Sequence, residues 1–167
     1  MNHLEVLFST DRVEFVAVTE ELIPDYLGMV NDYEHVAKLI GSKEKTYTEE
    51  DERAWVRKKR EENALVWSIL KREDGAFVGN IELMDPENGS AELGIALTAG
   101  MQDQGYGTEA IKRLLQYSFE SLGLHRVTLK VFPSNSRAIH VYESCGFREY
   151  KRTEDDVFMV IQLGDPV

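Results

Sequence analysis

Gln102-Asp103-Gln104-Gly105-Tyr106-Gly107-Thr108 is the stretch on which the fold turns. It stands between a strand-like run, Ser90 to Leu97, and the strongest helical period of the chain. From Gly107 onward, Ile111, Leu114, Leu115, Ser118, Phe119 and Leu122 recur at i, i+3, i+4, i+7, i+8 and i+11, until Gly123 stops the run. Two glycines at a helix entry let backbone N–H groups turn toward an anion with no Cβ in the way. The unpaired amides and the positive end of the helix then stabilise the bound charge. A Walker-type loop would continue into Gly-Lys-Ser/Thr, which is missing. The dinucleotide pattern G-x-G-x-x-G fails because position 110 is Ala110 and a meander precedes the loop.

Working outward, Leu65 to Lys71, Ala76 to Asp85 and Ser90 to Leu97 have strand spacing and are divided by Asp74-Gly75 and by Pro86-Glu87-Asn88-Gly89, so they form an antiparallel meander. Arg126 to Phe132 is the next strand. Reached through the intervening helix, it should lie parallel to Ser90 to Leu97. Ser134 or Asn135 caps a helix carrying Ala138, Val141, Tyr142 and Cys145 on one face and closed by Gly146. Phe147 to Arg152 and Val157 to Leu163 are the last strands. Toward the N-terminus, Val13 to Thr19 is a strand, Thr19 opens a helix with Leu22, Tyr26, Met29 and Val30, and Thr48-Glu49-Glu50-Asp51 is a capping box. The helix after that box turns Trp55 and Val56 inward and Arg57, Lys58, Lys59 and Arg60 to solvent. The order is β-α-α-β-β-β-α-β-α-β-β, read as one domain over residues 1–167. Leu4-Glu5-Val6-Leu7-Phe8 is like part of a protease tag, but Ser9-Thr10-Asp11 follows, and the stretch is read as native sequence.

Taken together these segments resemble the GNAT superfamily of N-acetyltransferases. Gln102, Gly105 and Gly107 fit its acetyl-coenzyme A loop, Gln/Arg-x-x-Gly-x-Gly/Ala. Ala91-Glu92-Leu93-Gly94-Ile95 precedes that loop, and Thr108-Glu109-Ala110 follows. Asn135-Ser136-Arg137-Ala138 leads to Tyr142 and Cys145-Gly146-Phe147. The likeness covers about Val78 to Phe147, with the first 64 residues agreeing mainly in element order. It implies an α/β (α+β) fold: a mixed, mostly antiparallel sheet of about seven strands with a splayed parallel pair at its centre, flanked by about four helices. The Ala-Glu-Leu-Gly-Ile and Gly-Tyr-Gly-Thr-Glu-Ala segments look most like the group that holds ribosomal-protein N-terminal and spermidine acetyltransferases.

The resemblance also implies a site. Pantetheine would pair with backbone at Ile95, Ala96 and Leu97, and pyrophosphate would rest on amides of Gln102, Asp103, Gln104, Gly105, Tyr106, Gly107 and Thr108. Asn135, Arg137 and Ala138 would approach from the other side. Position 104 is often cationic in the family and is neutral here, which points to weaker cofactor binding. An alkyl ammonium with a pKa of about 10.4 must lose a proton before it attacks. Glu92 is the expected base, since alternation sets it opposite Ala91, Leu93, Ile95 and Leu97, with Glu82 or a water relay in reserve. A strand N–H at Ile95 or Ala96 would stabilise the oxyanion, and Tyr142 would donate a proton to the leaving thiolate.

Charge and cysteine count bound the partners. Thirty acidic against nineteen basic side chains give a net charge of −11, which repels nucleic acid and favours a cationic acceptor. The single Cys145 rules out an intramolecular disulfide, leaves too few thiols for a four-ligand Cys/His zinc site, and is read as a buried small hydrophobe. No metal is expected. His140 falls off the apolar face of its helix and is read as solvent-facing, and Trp55 and Trp67 as core or cleft wall. Without a signal-like segment or an apolar run of about 20 residues, the expected location is the cytoplasm with no membrane contact. The acceptor is expected to be a primary amine, either a small molecule such as a polyamine or a peptide N-terminus. A homodimer through the C-terminal strands is compatible with the pattern. The competing function is a catalytically silent acetyl-coenzyme A sensor or assembly module of the same fold.

Overall fold

The computed structural model describes residues 4–165. Among them the chain forms β1 (Val6–Ser9), β2 (Val13–Ala17), α1 (Ile23–Val30), α2 (Glu49–Glu61), β3 (Leu65–Lys71), β4 (Phe77–Glu87), β5 (Ser90–Leu97), α3 (Tyr106–Glu120), β6 (Arg126–Val131), α4 (Ser136–Ser144), β7 (Arg148–Arg152) and β8 (Val157–Gln162). The strands make one mixed sheet in the order β1-β2-β3-β4-β5-β6-β8-β7. The pairs β1–β2, β2–β3, β6–β8 and β7–β8 are antiparallel. The parallel pair, β5 with β6, aligns Ser90, Ala91 and Glu92 with Arg126, Val127 and Thr128.

The expectation of about seven strands is corrected to eight, because Val6–Ser9 pairs with β2. That strand has only four residues, with Val6 and Leu7 exposed, so no buried alternation marks it. Its anchor is the ring of Phe8, stacked 4.4 Å from Phe15 and edge-on to Trp67 at 5.5 Å. A second difference lies in the meander, where β4 runs on through Pro86 to Glu87. Asp85 takes φ 49°, and this kink lets the strand carry a proline near its end. Asn88 and Gly89, at φ 52° and 76°, then supply the two left-handed residues of a tight hairpin.

The chain packs as two compact units, the first holding residues up to Glu82 together with Ile95–Tyr106. Here Thr19 accepts from the Glu21 N–H, a 3-10 turn over Glu20–Leu22 follows, and α1 begins at Ile23 with Pro24 in its first turn. The helix expected from Thr19 is therefore broken into two pieces. Thr48 and Asp51 form the reciprocal capping box that opens α2. Val16, Val18, Leu22, Tyr26, Val56, Leu70 and Phe77 bury against one another. The fully buried Tyr26 needs a partner for its hydroxyl. It pairs with Ser68 Oγ at 2.6 Å, and Ser68 donates to Asn80 Oδ1 at 2.8 Å.

The second unit holds Leu83–Gly94 and the chain from Gly107 onward. Helix α3 buries Ala110, Ile111, Leu114 and Leu115, the face its periodicity predicts. Ser118 on that face is fully buried, and its hydroxyl donates to the Leu114 carbonyl at 2.7 Å. Asn135 caps α4 by accepting from the Ala138 N–H. Strand β7 is exposed along its whole length, and its charges, Arg148, Glu149, Lys151 and Arg152, suit an edge that does not invite pairing.

In the first unit β4 and β5 meet so closely that a Cβ at Gly79 would collide with the Ala96 carbonyl oxygen and the Leu97 backbone. Gly79→Ala should therefore lower the melting temperature by about 5 °C or more, read by calorimetry; an unchanged Tm would mean the strands can separate at no cost. Glu52 on α2 is only 7% exposed, and burial, with Asp51 adding, raises its carboxyl pKa. Folded Glu52 holds its proton to higher pH than the unfolded chain does. Its contribution to stability is thus complete below the unfolded pKa and fades as pH rises through the folded one. Glu52→Gln should raise Tm at pH 7 by about 2 °C, with the gain shrinking toward pH 4, and a constant gain would exclude titration as its cause.

Candidate active site

The segment leaving β5 is built to dispose of its own carbonyl groups. Thr98 N–H donates to Val78 O, and a 3-10 turn over Ala99–Met101 follows. Gln102 Nε2 then donates to Leu97 O at 3.1 Å and to His35 O at 2.9 Å. Gln104 Nε2 donates to Gly100 O at 2.7 Å, and Arg12 Nη1 to Gln104 O at 3.1 Å. Asp103 and Gly105 adopt φ 61° and 84°, a left-handed pair that turns successive peptide units. Tyr106, buried at 7% exposure, begins α3, whose opening amides have no partner within the helix. Side-chain donors take the carbonyl oxygens, while the exposed turn at Asp103 to Gly105 runs into the positive end of a fifteen-residue helix. That is the polarity an anionic cofactor phosphate needs.

The Gln102 side-chain amide thus ties the loop to β5 and to the segment around His35. Gln104, Asp103 and Gly105 are exposed, and Gly107 and Thr108 are half-buried in the first turn of α3. Ile95, Ala96 and Leu97 are half-buried in succession, so the alternation seen at Ala91 and Leu93 stops there. Arg12 escaped the sequence reading altogether. It is 92 positions from Gln104, and no short-range pattern links a hairpin tip to a loop that distant.

In the second unit, Glu92 is half-buried on β5 between the buried Ala91 and Leu93, as its alternation predicts. Asn135 spends its Oδ1 on the Ala138 amide, and Arg137 is exposed at the start of α4. Tyr142 sits in the last turn of α4, its ring edge-on to Phe147 at 6.1 Å. Burial, with the Cys145 thiol adding, pushes its phenol up to about 12. Burial also raises the Cys145 thiol, whose Sγ lies 3.8 Å from Thr108 O, a packed and unreactive setting. Glu82 on β4 is half-buried on the face it shares with Asn80 and Met84. His140 is exposed. Among the described residues no group of three or more His, Cys, Asp or Glu is placed to hold a metal ion, and no helix is long and apolar enough to cross a membrane.

The acetyltransferase (GNAT) domain profile matches residues 12–148, and the chain belongs to that family. Among curated relatives, the spermidine N(1)-acetyltransferase of Vibrio cholerae is 36% identical over 84 residues, 49% of each chain. The putative ribosomal N-acetyltransferase YdaF of Bacillus subtilis is 30% identical over 76 residues, 46% of this chain and 42% of that one. The chain spans about half the length of the curated relatives it matches. A solved structure of Vibrio cholerae spermidine N-acetyltransferase, in complex with CoA and spermine, superposes with a TM-score of 0.82 over 92% of this chain and 96% of that one, at 23% identity. The fold is shared.

Because the Tyr142 phenol is held near 12, tyrosinate absorbance between about pH 9 and 11 should rise equally in the wild type and in Tyr142→Phe. Excess absorbance in the wild type over that range would show a phenol open to water.

Proposed function

We propose that this chain is an N-acetyltransferase that moves the acetyl group of acetyl-coenzyme A to the primary amine of a small cationic acceptor such as a polyamine. The observation that carries the reading is the turn that leads into α3, where side-chain donors of Gln102, Gln104 and Arg12 take the carbonyls of Leu97, Gly100 and Gln104 and leave the exposed stretch Asp103–Gly105 at the positive end of the helix. The family match from residue 12 to residue 148 supports one acetyltransferase domain. The net charge of −11 and the activity named for the Vibrio cholerae relative support a polycationic amine. The relative named as a ribosomal N-acetyltransferase favours a peptide amino group as second acceptor class. The lone buried thiol, Cys145, supports a reducing, cytoplasmic setting.

Acetyl-coenzyme A supplies an activated acyl carbon when bound. By the family resemblance, the amides of Gln102, Asp103, Gln104, Gly105, Tyr106, Gly107 and Thr108 would hold its pyrophosphate, backbone groups of Ile95, Ala96 and Leu97 would align its pantetheine, and Asn135, Arg137 and Ala138 would approach it. Glu92 takes the proton of the acceptor ammonium, directly or through water. Tyr142 donates a hydrogen bond to the thioester sulfur. With the phenol near 12 and a thiol near 8.5, complete proton transfer is uphill by roughly 5 kcal/mol. Tyr142 would therefore stay a neutral hydrogen-bond donor to the sulfur: as the C–N bond forms and the C–S bond breaks, the coenzyme would leave as its thiolate and the acylated nitrogen would shed its remaining extra proton to water, so the value of Tyr142 lies in position.

The test is thiol release from acetyl-coenzyme A across polyamines, aminoglycosides and short peptides, beside a thermal shift with coenzyme A. Turnover on a polyamine is expected. Stabilisation without turnover on any amine would mark a silent cofactor-binding module instead. Tyr142→Phe should lower kcat by roughly a hundredfold with coenzyme A affinity nearly unchanged, and an unaltered kcat would remove Tyr142 from the reaction.

A further inference from the structure

The loop proposed to meet a pyrophosphate is electrostatically odd. Gln102-Asp103-Gln104-Gly105-Tyr106-Gly107-Thr108 contains no lysine or arginine and one aspartate, so the loop itself brings a negative charge to an anion site. The charge balance is restored from the hairpin between β1 and β2. Arg12 Nη1 donates to Gln104 O at 3.1 Å, and the guanidinium lies 4.4 Å above the Tyr106 ring. A Cβ at Gly105 would lie 3.1 Å from Arg12 Nη2. One guanidinium thus bonds Gln104 and overlies Tyr106, the residue that begins α3.

We propose that Arg12 is the cationic component of the phosphate loop: it positions Gln104–Tyr106 and contributes the positive charge for the pyrophosphate that the loop's own side chains lack. This rests on the acetyl-coenzyme A reading above. The side chain is exposed, but its backbone is fixed. Thr10 Oγ1 accepts from the N–H groups of Arg12 and Val13 at 3.3 and 3.1 Å, and Thr10 N–H donates to Val13 O. Arg72 bridges the same tip, its N–H donating to Arg12 O at 2.9 Å and its Nη1 to Thr10 O at 2.9 Å. Stacking on Tyr106 restrains the head group further, so little rotamer freedom remains to be lost on binding. Position 105 suits glycine through its φ of 84°. The chain does not need a cation at position 104, because one arrives from position 12.

The experiment measures coenzyme A binding calorimetrically with the full chain, alongside steady-state kinetics. Arg12→Gln should weaken coenzyme A binding by roughly tenfold, the effect of one partly screened charge at short range. It should raise the KM for acetyl-coenzyme A similarly and leave kcat nearly unchanged. Arg12→Lys should recover part of the loss. Adding Gln104→Lys to Arg12→Gln should recover most of it, because the charge returns on the loop itself, an outcome that a purely structural role for Arg12 does not give. Dephospho-coenzyme A, which keeps the pyrophosphate and lacks the 3′-phosphate, should show the same wild-type to variant ratio. Unchanged affinity in Arg12→Gln, no rescue by Gln104→Lys, or loss of the ratio with dephospho-coenzyme A would each overturn the assignment. If the wild type fails to bind coenzyme A, the parent reading falls and takes this inference with it. Wild-type binding that Arg12→Gln leaves intact defeats only the role of Arg12.

Discussion

The missing side chain at Gly79 is the constraint from which the candidate loop follows. A strand pair normally keeps a Cβ on each residue, and neighbouring strands lie roughly 4.7–4.9 Å apart. At Gly79 the Ala96 carbonyl occupies space that a Cβ would need. Past that point β5 no longer alternates between buried and open residues: Ile95, Ala96 and Leu97 are all half-buried. Thr98 is still held to Val78 O, so the exit of the strand is anchored on β4 even though its regular pattern has ended. The Leu97 carbonyl can then accept from Gln102, and the short 3-10 turn that follows sets Gly100 O within reach of Gln104. A residue with a side chain at position 79 would move the beginning of this chain of contacts, and with it the loop.

Two electrostatic demands pull against each other in this protein. A net charge of −11 draws cations and repels phosphates over distances of about one Debye length, roughly 8 Å at physiological salt. A phosphate-holding loop must overcome that field locally. Helix α3 contributes about half a positive charge at its start, and Arg12 adds a whole one beside it. Concentrating the positive charge in a few ångströms lets the remaining surface stay acidic. On the proposed reading, local donors would let an anion bind on a protein whose average field attracts cations.

Much of this was legible in the sequence where local physics decides the outcome. The period of Ile111, Leu114, Leu115 and Ser118 fixed the buried face of α3, and the alternation of Ala91, Glu92 and Leu93 placed Glu92 opposite the buried residues. Asn135 and Thr48 were recognisable caps because capping is a three-residue matter. What stayed hidden depends on partners far away. Val6–Ser9 becomes a strand through a ring stack with Phe15 and an edge contact with Trp67. The helix after Thr19 breaks into a 3-10 turn and α1 at Leu22 and Ile23, a difference of one hydrogen-bond step that composition does not reveal. The tie from the Gln102 side-chain amide to His35 O, 67 positions away, is likewise set by a distant partner.

The raised phenol of Tyr142 also constrains how protons move on the proposed reading. A phenol near 12 does not ionise over the range in which enzymes of this kind would work, so it can neither accept the proton of the acceptor amine nor shape the pH dependence near neutrality. An alkyl ammonium with a pKa of about 10.4 is almost wholly protonated at pH 7, with under about 0.1% free amine. On that reading the proton must therefore pass to a group other than Tyr142. Burial in the last turn of α4 thus makes Tyr142 a donor of fixed protonation. The phenol keeps its proton because it lies in a desolvated helix end beside Cys145.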